Sequence, residues 1–203
     1  MNRLVILFHG YGGKGSSLKF LSNKLEKRLN NYCFTLLEGI EPFEKDVEGV
    51  VGSGRQWFSL VERDLNVLQY NIELNIHKIR HLIADTQKMF NVTNMNTILM
   101  GFSQGAMLSQ YIAIDEEHEP YNAVISFNGA LVPPKHVRNS KTPIVLISGS
   151  SDDVIEEKYF EENFKYLDSN FIPNKKILIE NLGHRINDKS IDFCCEFLQE
   201  INL

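Results

Sequence analysis

Cysteine is scarce in this 203-residue chain: there are three, two of them adjacent at Cys194 and Cys195. That rules out a disulfide framework and suits a reducing compartment, and the three read as small apolar helix residues. An excess of positive charge is also missing, since 21 Lys and Arg stand against 26 Asp and Glu for a net charge of −5. With no basic patch, nucleic acid and anionic membrane surfaces are excluded as expected partners. Long apolar runs are absent too. The run Leu4-Val5-Ile6-Leu7-Phe8 leads straight into His9-Gly10, far short of the ~20 residues of a membrane span and too short for a secretory signal core. These absences predict a cytoplasmic protein with no integral membrane segment. There is no internal repeat or low-complexity tract, and 43% apolar content over this length predicts one core in a single domain over 1–203.

What is present is an alternation of strand and helix patterns from end to end. Short apolar runs predict buried strands at Leu4–Phe8, Tyr32–Leu37, Thr97–Phe102, Ala123–Phe127, Ile144–Ser148 and Lys176–Glu180. Helical spacing predicts helices at Ser17–Leu29, Leu68–Phe90, Gln104–Ile114, Glu156–Leu167 and Lys189–Ile201. Strict alternation of this kind predicts an α/β fold, a doubly wound, mostly parallel sheet with helices on both faces. One long irregular stretch, from Gly39 to about Leu60, contains Gly49, Gly52 and Gly54 and ends in Trp57-Phe58. Loops of that length in a compact domain are usually functional or disordered.

The chemistry concentrates at strand ends. Gly101-Phe102-Ser103-Gln104-Gly105 follows an apolar strand and opens a helix, the arrangement of a nucleophile elbow. Glycines are needed there because helix and neighbouring strand approach too closely for a Cβ. A serine hydroxyl needs a base to take its proton. In doubly wound hydrolases the chain order is Ser, then Asp or Glu, then His, which excludes His9, His77 and His81. His118 and His136 have no later strand-plus-acid unit, leaving His184 in Asn181-Leu182-Gly183-His184 after the last strand. The acid belongs after the strand between them, where Ser150-Ser151-Asp152-Asp153 stands. Position alone does not choose between the two aspartates. Asp153, close before a helix, suits the capping role, and Asp152 is then preferred as the partner of His184.

The loop His9-Gly10-Tyr11-Gly12-Gly13-Lys14-Gly15 admits two readings. Gly10, Gly12 and Gly15 satisfy a dinucleotide-binding fingerprint, with Glu38 at the end of the next strand as the ribose acid. A phosphate-binding P-loop fails because Lys14 is followed by glycine. In the hydrolase reading the loop supplies the backbone N–H of Tyr11, which joins that of Gln104 in an oxyanion hole. His77 and His81 have helical i, i+4 spacing, but no third ligand is evident, so no metal is expected.

Together these motifs resemble the phospholipase and carboxylesterase family of α/β-hydrolases, which includes bacterial carboxylesterases and acyl-protein thioesterases. The resemblance runs nearly end to end: Leu7-Phe8-His9-Gly10-Tyr11-Gly12, Gln56-Trp57-Phe58-Ser59-Leu60, Gly101 to Ala106, Gly149 to Ile155 and Gly183-His184-Arg185-Ile186. It implies a trimmed α/β-hydrolase sheet of six to seven strands, with the first strands of the full fold missing or vestigial. It matches Asp152 to the family's acid, and puts Trp57, with Phe58, near the acyl pocket, the alternative being a buried core tryptophan. The implied activity is hydrolysis of small-molecule or lipid acyl esters, and of acyl thioesters, through a Ser-His-Asp triad without a cofactor. Chain-length preference is left open, and so is oligomeric state, a homodimer included. A catalytically idle hydrolase-fold binding protein is the remaining alternative. The chain departs from the family pattern at Lys14, at Asn128, where serine is usual before Gly129, and at Asp153 and Glu156.

Overall fold

The computed structural model describes residues 3–44 and 54–201, so part of the expected Gly39–Leu60 loop, at 45–53, lies outside the described residues. Its strands are β1 (Arg3–Phe8), β2 (Tyr32–Leu37), β3 (Glu41–Pro42), β4 (Arg55–Gln56), β5 (Thr97–Phe102), β6 (Ala123–Phe127), β7 (Ile144–Gly149) and β8 (Asn174–Ile179). The helices are α1 (Lys19–Glu26), α2 (Leu65–Phe90), α3 (Gln104–Ile114), α4 (Glu157–Ser169) and α5 (Asp188–Glu200). Six strands form one sheet in the order β2-β1-β5-β6-β7-β8, every neighbouring pair parallel. β3 and β4 form a separate antiparallel pair.

Period-2 alternation divides each strand between two cores. Leu4, Ile6 and Phe8 of β1 pack on one face with Ile72, Ile76, Ile79 and Ile83 of α2, Leu108 and Ile112 of α3, and Phe160 and Leu167 of α4. Val5 and Leu7 face the other way, onto Leu21 and Leu25 of α1 and Ile191, Cys194, Cys195 and Leu198 of α5. Each fully buried Leu or Ile contributes ~1.5–3 kcal/mol, which is why the sheet is covered on both faces. The two adjacent cysteines of α5 are apolar packing residues, as their sequence context predicts, and burial pushes the Cys194 thiol up from its ordinary pKa. No described helix is long and apolar enough to cross a membrane.

Helix α2 begins at Leu65, one turn before the predicted Leu68. Its first residue, Leu65, is exposed, and the start is set by Asp64, which caps the helix by accepting the N–H groups of Asn66 and Val67 at 2.9 and 3.3 Å. The chain runs outward from β1 to β2, then returns to β5 on the opposite side of β1. That reversal creates a crevice at the C-terminal ends of β1 and β5, the place where open parallel sheets bind ligands. The His9–Gly15 loop and Ser103 both lie there.

Two glycines allow α3 to start so near the sheet. A Cβ on Gly105 would lie 2.0 Å from the Phe8 carbonyl oxygen, and one on Gly101 would lie 2.1 Å from the Gly105 oxygen. Both obstacles are backbone. Gly105→Ala is therefore expected to cost about 3 kcal/mol or more, read by denaturant unfolding. A loss below about 1 kcal/mol would mean that α3 can shift away from β1 freely.

Candidate active site

Ser103 stands between β5 and α3 with φ 53° and ψ −116°, in the left-handed region that a residue with a Cβ rarely occupies. Its conformation is fixed by its surroundings: the Ser103 N–H donates to the Phe127 carbonyl at 2.9 Å. In return its carbonyl accepts from the N–H groups of Ala106 and Met107, both at 3.0 Å. The turn directs the hydroxyl at His184, whose Nε2 lies 2.9 Å from Oγ. His184 Nδ1 lies 2.8 and 3.0 Å from the two carboxylate oxygens of Asp152. A carboxylate only accepts, so Nδ1 carries the proton and Nε2 is the acceptor facing the serine. The histidine comes from the loop after β8, with its ring 5.0 Å from that of Phe102.

Asp152 follows β7 and its carboxylate is fully buried. Burial by itself raises its pKa. Hydrogen bonds from the Ile155 N–H, His184, Asn128 and the Val154 N–H overcome that, so the net direction is downward and the group is ionised. The two backbone donors reach Oδ1 at 2.9 Å each, and Asn128 Nδ2 reaches Oδ2 at 2.8 Å.

The structure corrects the capping role expected of Asp153. The N-cap of α4 is Glu156, which makes no side-chain cap bond, and Asp153 is exposed. The turn before the helix is held by Asp152 itself. One carboxylate has lone pairs enough for two N–H groups and a histidine, so the assumption of one role per aspartate fails.

Asn128 was not singled out as functional, although it is one of the positions that departs from the family pattern. It follows β6 with φ 50°, a conformation asparagine tolerates better than most residues, and is 1% exposed.

Gln104 opens α3, so its backbone N–H has no intrahelical acceptor. Tyr11 and Ser103 line the same cavity, and the Tyr11 hydroxyl donates to Glu44. The Gln104 side chain has its own task. Its Oε1 accepts from the Trp57 N–H at 3.0 Å and its Nε2 donates to the Phe58 carbonyl at 2.6 Å. Trp57 and Phe58 are both fully buried, and neither lines the cavity at Ser103. Trp57 Nε1 donates to the His9 carbonyl at 2.9 Å, and its indole packs on Phe8 and His9 at 5.2 and 5.1 Å.

Chain order excludes His9 as the base, yet His9 organises this loop. Its Nδ1 lies 2.7 Å from the Gly10 carbonyl, and its Nε2 accepts the Gly39 N–H at 2.9 Å. The tautomer is thereby fixed as Nδ1–H, neutral. The same loop pairs with β4: Gly12 N–H donates to the Arg55 carbonyl at 3.0 Å, and Arg55 N–H to the Gly13 carbonyl at 2.8 Å. A Cβ on Gly54 would meet the Gly12 oxygen at 2.6 Å. The loop's glycines are thus engaged with the backbone of Gly54 and Arg55.

The cavity beside Ser103 measures about 500 Å³ and is walled mainly by Leu60, Leu65, Leu68, Met107, Leu131 and Val132. His77 and His81 lie on the exposed side of α2, the His81 Nδ1 within 2.7 Å of the His77 carbonyl. Among the described residues no cluster of His, Cys, Asp or Glu has the makings of a metal site.

A sequence profile described as phospholipase/carboxylesterase matches residues 1–202. Esterase YpfH of Escherichia coli (strain K12) is 27% identical over 201 residues, covering 97% of this chain and 82% of that protein. Acyl-protein thioesterase 1 homolog 1 of Dictyostelium discoideum is 24% identical over 212 residues, covering 97% and 89%. The crystal structure of esterase PE8 superposes with a TM-score of 0.88 at 28% identity, covering 98% of this chain and 93% of that one.

The buried His9 generates a prediction. Desolvation holds its pKa below the ordinary 6.5, against the opposing pull of the Gly10 carbonyl and Glu38. As the pH falls the unfolded chain therefore takes up the proton first. The stabilisation is whole above about pH 6.5 and declines below it by up to about 1.4 kcal/mol per pH unit, until native His9 protonates. In His9→Gln the unfolding free energy is expected to fall less steeply between about pH 7 and about pH 5. An unchanged slope in chemical denaturation would assign the acid sensitivity to other groups.

Proposed function

The chain belongs to the phospholipase/carboxylesterase family and is a carboxylic-ester hydrolase of that family; from this premise we propose that it works through Ser103, His184 and Asp152 and an acyl-enzyme intermediate. The observation that carries the reading is the unbroken hydrogen-bond path from Ser103 Oγ to His184 Nε2 at 2.9 Å and from Nδ1 to Asp152 at 2.8 Å. As Ser103 Oγ bonds to the carbonyl carbon, its proton passes to His184 Nε2. The oxygen of the tetrahedral intermediate takes the negative charge and is held by the N–H groups of Tyr11 and Gln104, each such donor being worth ~10²–10³ in rate. The bond to the leaving oxygen then breaks, and that oxygen takes the proton from His184. Water repeats the sequence on the acyl-enzyme and releases the acid.

A second reading, preference for long acyl chains and for thioesters, is favoured by the apolar wall of the 500 Å³ cavity. One relative carries the name acyl-protein thioesterase, which fits the same preference. Small-molecule and lipid acyl esters or thioesters are the proposed substrates.

Ser103→Ala is expected to abolish labelling by a fluorophosphonate probe. Asp152→Asn is expected to lower kcat about 10³- to 10⁴-fold by favouring the wrong histidine tautomer. Asp153→Asn should change it less than about threefold, as usual for an exposed residue. The opposite ranking of the two aspartates would overturn the assignment. For the second reading, kcat/KM across oxygen esters and thioesters of rising chain length should climb to a long-chain optimum. An optimum at two to four carbons would favour a general carboxylesterase instead.

A further inference from the structure

A second hollow, of about 340 Å³, borders His184 but not Ser103, whereas the 500 Å³ cavity borders Ser103 but not His184. Tyr11 borders both. The hollow has an apolar part, made by Leu18, Phe20, Phe102 and Ile186, and one charged lining group, Arg185. Resting on the serine-esterase reading, we propose that this hollow receives the leaving group of the ester, and that Arg185 selects leaving groups bearing an anionic substituent on an apolar body.

The direction of proton transfer fixes where the leaving group departs. The acyl carbon becomes bonded to Ser103 Oγ, so the acyl chain extends into the cavity that Ser103 borders. The carbon–oxygen bond to the alcohol breaks as that oxygen takes the proton from His184 Nε2. The departing alcohol is therefore on the histidine side, where the second hollow begins. Its apolar lining suits a hydrocarbon or aromatic body: Phe20 is 45% exposed and so is not spent on the core, and the Phe102 ring packs 5.0 Å from His184.

The second half rests on charge. Arg28, Arg80 and Arg138 are held in ion pairs. Arg185 is exposed, and its guanidinium has no hydrogen bond or ion pair among the described residues. No carboxylate lines the hollow. Lys14 and Lys19, on either side of Ser17 in sequence, likewise have no ion pair among the described residues. A chain of net charge −5 thus keeps a cation with no carboxylate partner among the described residues beside the residue that protonates the leaving group in the proposed reaction. A guanidinium in that position pairs with a carboxylate, sulfonate or phosphate through two parallel N–H donors.

The test uses butyryl esters of para-hydroxybenzenesulfonate, of the neutral para-hydroxybenzenesulfonamide and of a para-hydroxyphenyl trimethylammonium, with kcat/KM reporting acylation. The acyl part is constant, and intrinsic leaving-group reactivity cancels when wild type and variant are compared as ratios. Arg185→Gln is expected to lower the anionic-to-neutral ratio roughly two- to fivefold, the upper range of an exposed charge pair. Arg185→Glu should turn the preference toward the cationic ester, and wild-type selectivity should shrink as salt is raised. Ratios unchanged in both variants would overturn the leaving-group assignment while loss of all hydrolysis in Ser103→Ala kept the esterase reading intact. Hydrolysis persisting in Ser103→Ala would overturn both.

Discussion

The site depends on how closely helix α3 approaches strand β1. The contact is backbone to backbone, Gly105 against the Phe8 carbonyl, and only hydrogen fits between them. Because β1 and α3 touch at that point, the end of β1 and the start of α3 share one crevice. The loop from His9 and the Ser103 turn are neighbours for the same reason. The left-handed conformation of Ser103 carries a cost of order 1–3 kcal/mol. It persists because the sheet behind it is covered on both faces, and moving α3 would uncover Leu108 and Ile112.

Two kinds of force divide the work. The non-directional burial of Val, Leu and Ile sets the sheet and its helices, but it does not fix irregular backbone. The segments around the crevice are fixed by hydrogen bonds from buried polar side chains. His9 holds Gly39, Gln104 holds both Trp57 and Phe58, and Asn75 reaches the Trp57 carbonyl at 3.2 Å and Glu41 at 2.6 Å. Each of these side chains is a liability unless partnered, since an unsatisfied buried polar group costs ~1–3 kcal/mol. Full partnering makes them specific, and the loop from His9 to Gly15 is held in place by them. Trp57 is part of this bracing, its main-chain N–H bonded to Gln104 and its indole N–H to the His9 carbonyl.

The strands were legible because both faces of a parallel sheet are buried, which leaves short, nearly continuous apolar runs. All six were located within two residues at each end. The Ser–His relation was legible because chain order leaves one histidine. Asp152 was legible by resemblance more than by spacing. What stayed hidden are properties of the assembled surface. The start of α2 rests on the Asp64 cap, whose bonds to Asn66 and Val67 exist only once the turn has formed. Asn128 reaches Asp152 from a different strand end, 24 positions away, and no local pattern marks that pairing. The two hollows are each assembled from several elements, so their division at the Ser103–His184 pair exists only in three dimensions.

The environment of the acid decides how the proton moves in the proposed reaction. Placing a carboxylate where its side chain has no solvent contact costs several kcal/mol unless its oxygens are saturated with donors. Asp152 has Val154 and Ile155 on one oxygen, Asn128 on the other, and His184 across both. Those donors stabilise the carboxylate form, which keeps the Asp152 pKa low even when His184 becomes positive. The proton on Nδ1 therefore stays with the histidine, and only the Nε2 side exchanges a proton with Ser103 and the leaving group. His184 itself retains 16% side-chain exposure, so the charge it gains is matched by a fixed, unhydrated anion on one side and open to the reactants on the other. The same donor set that makes burial of the carboxylate tolerable gives the imidazolium of the proposed reaction a partner that requires no rearrangement when the charge appears.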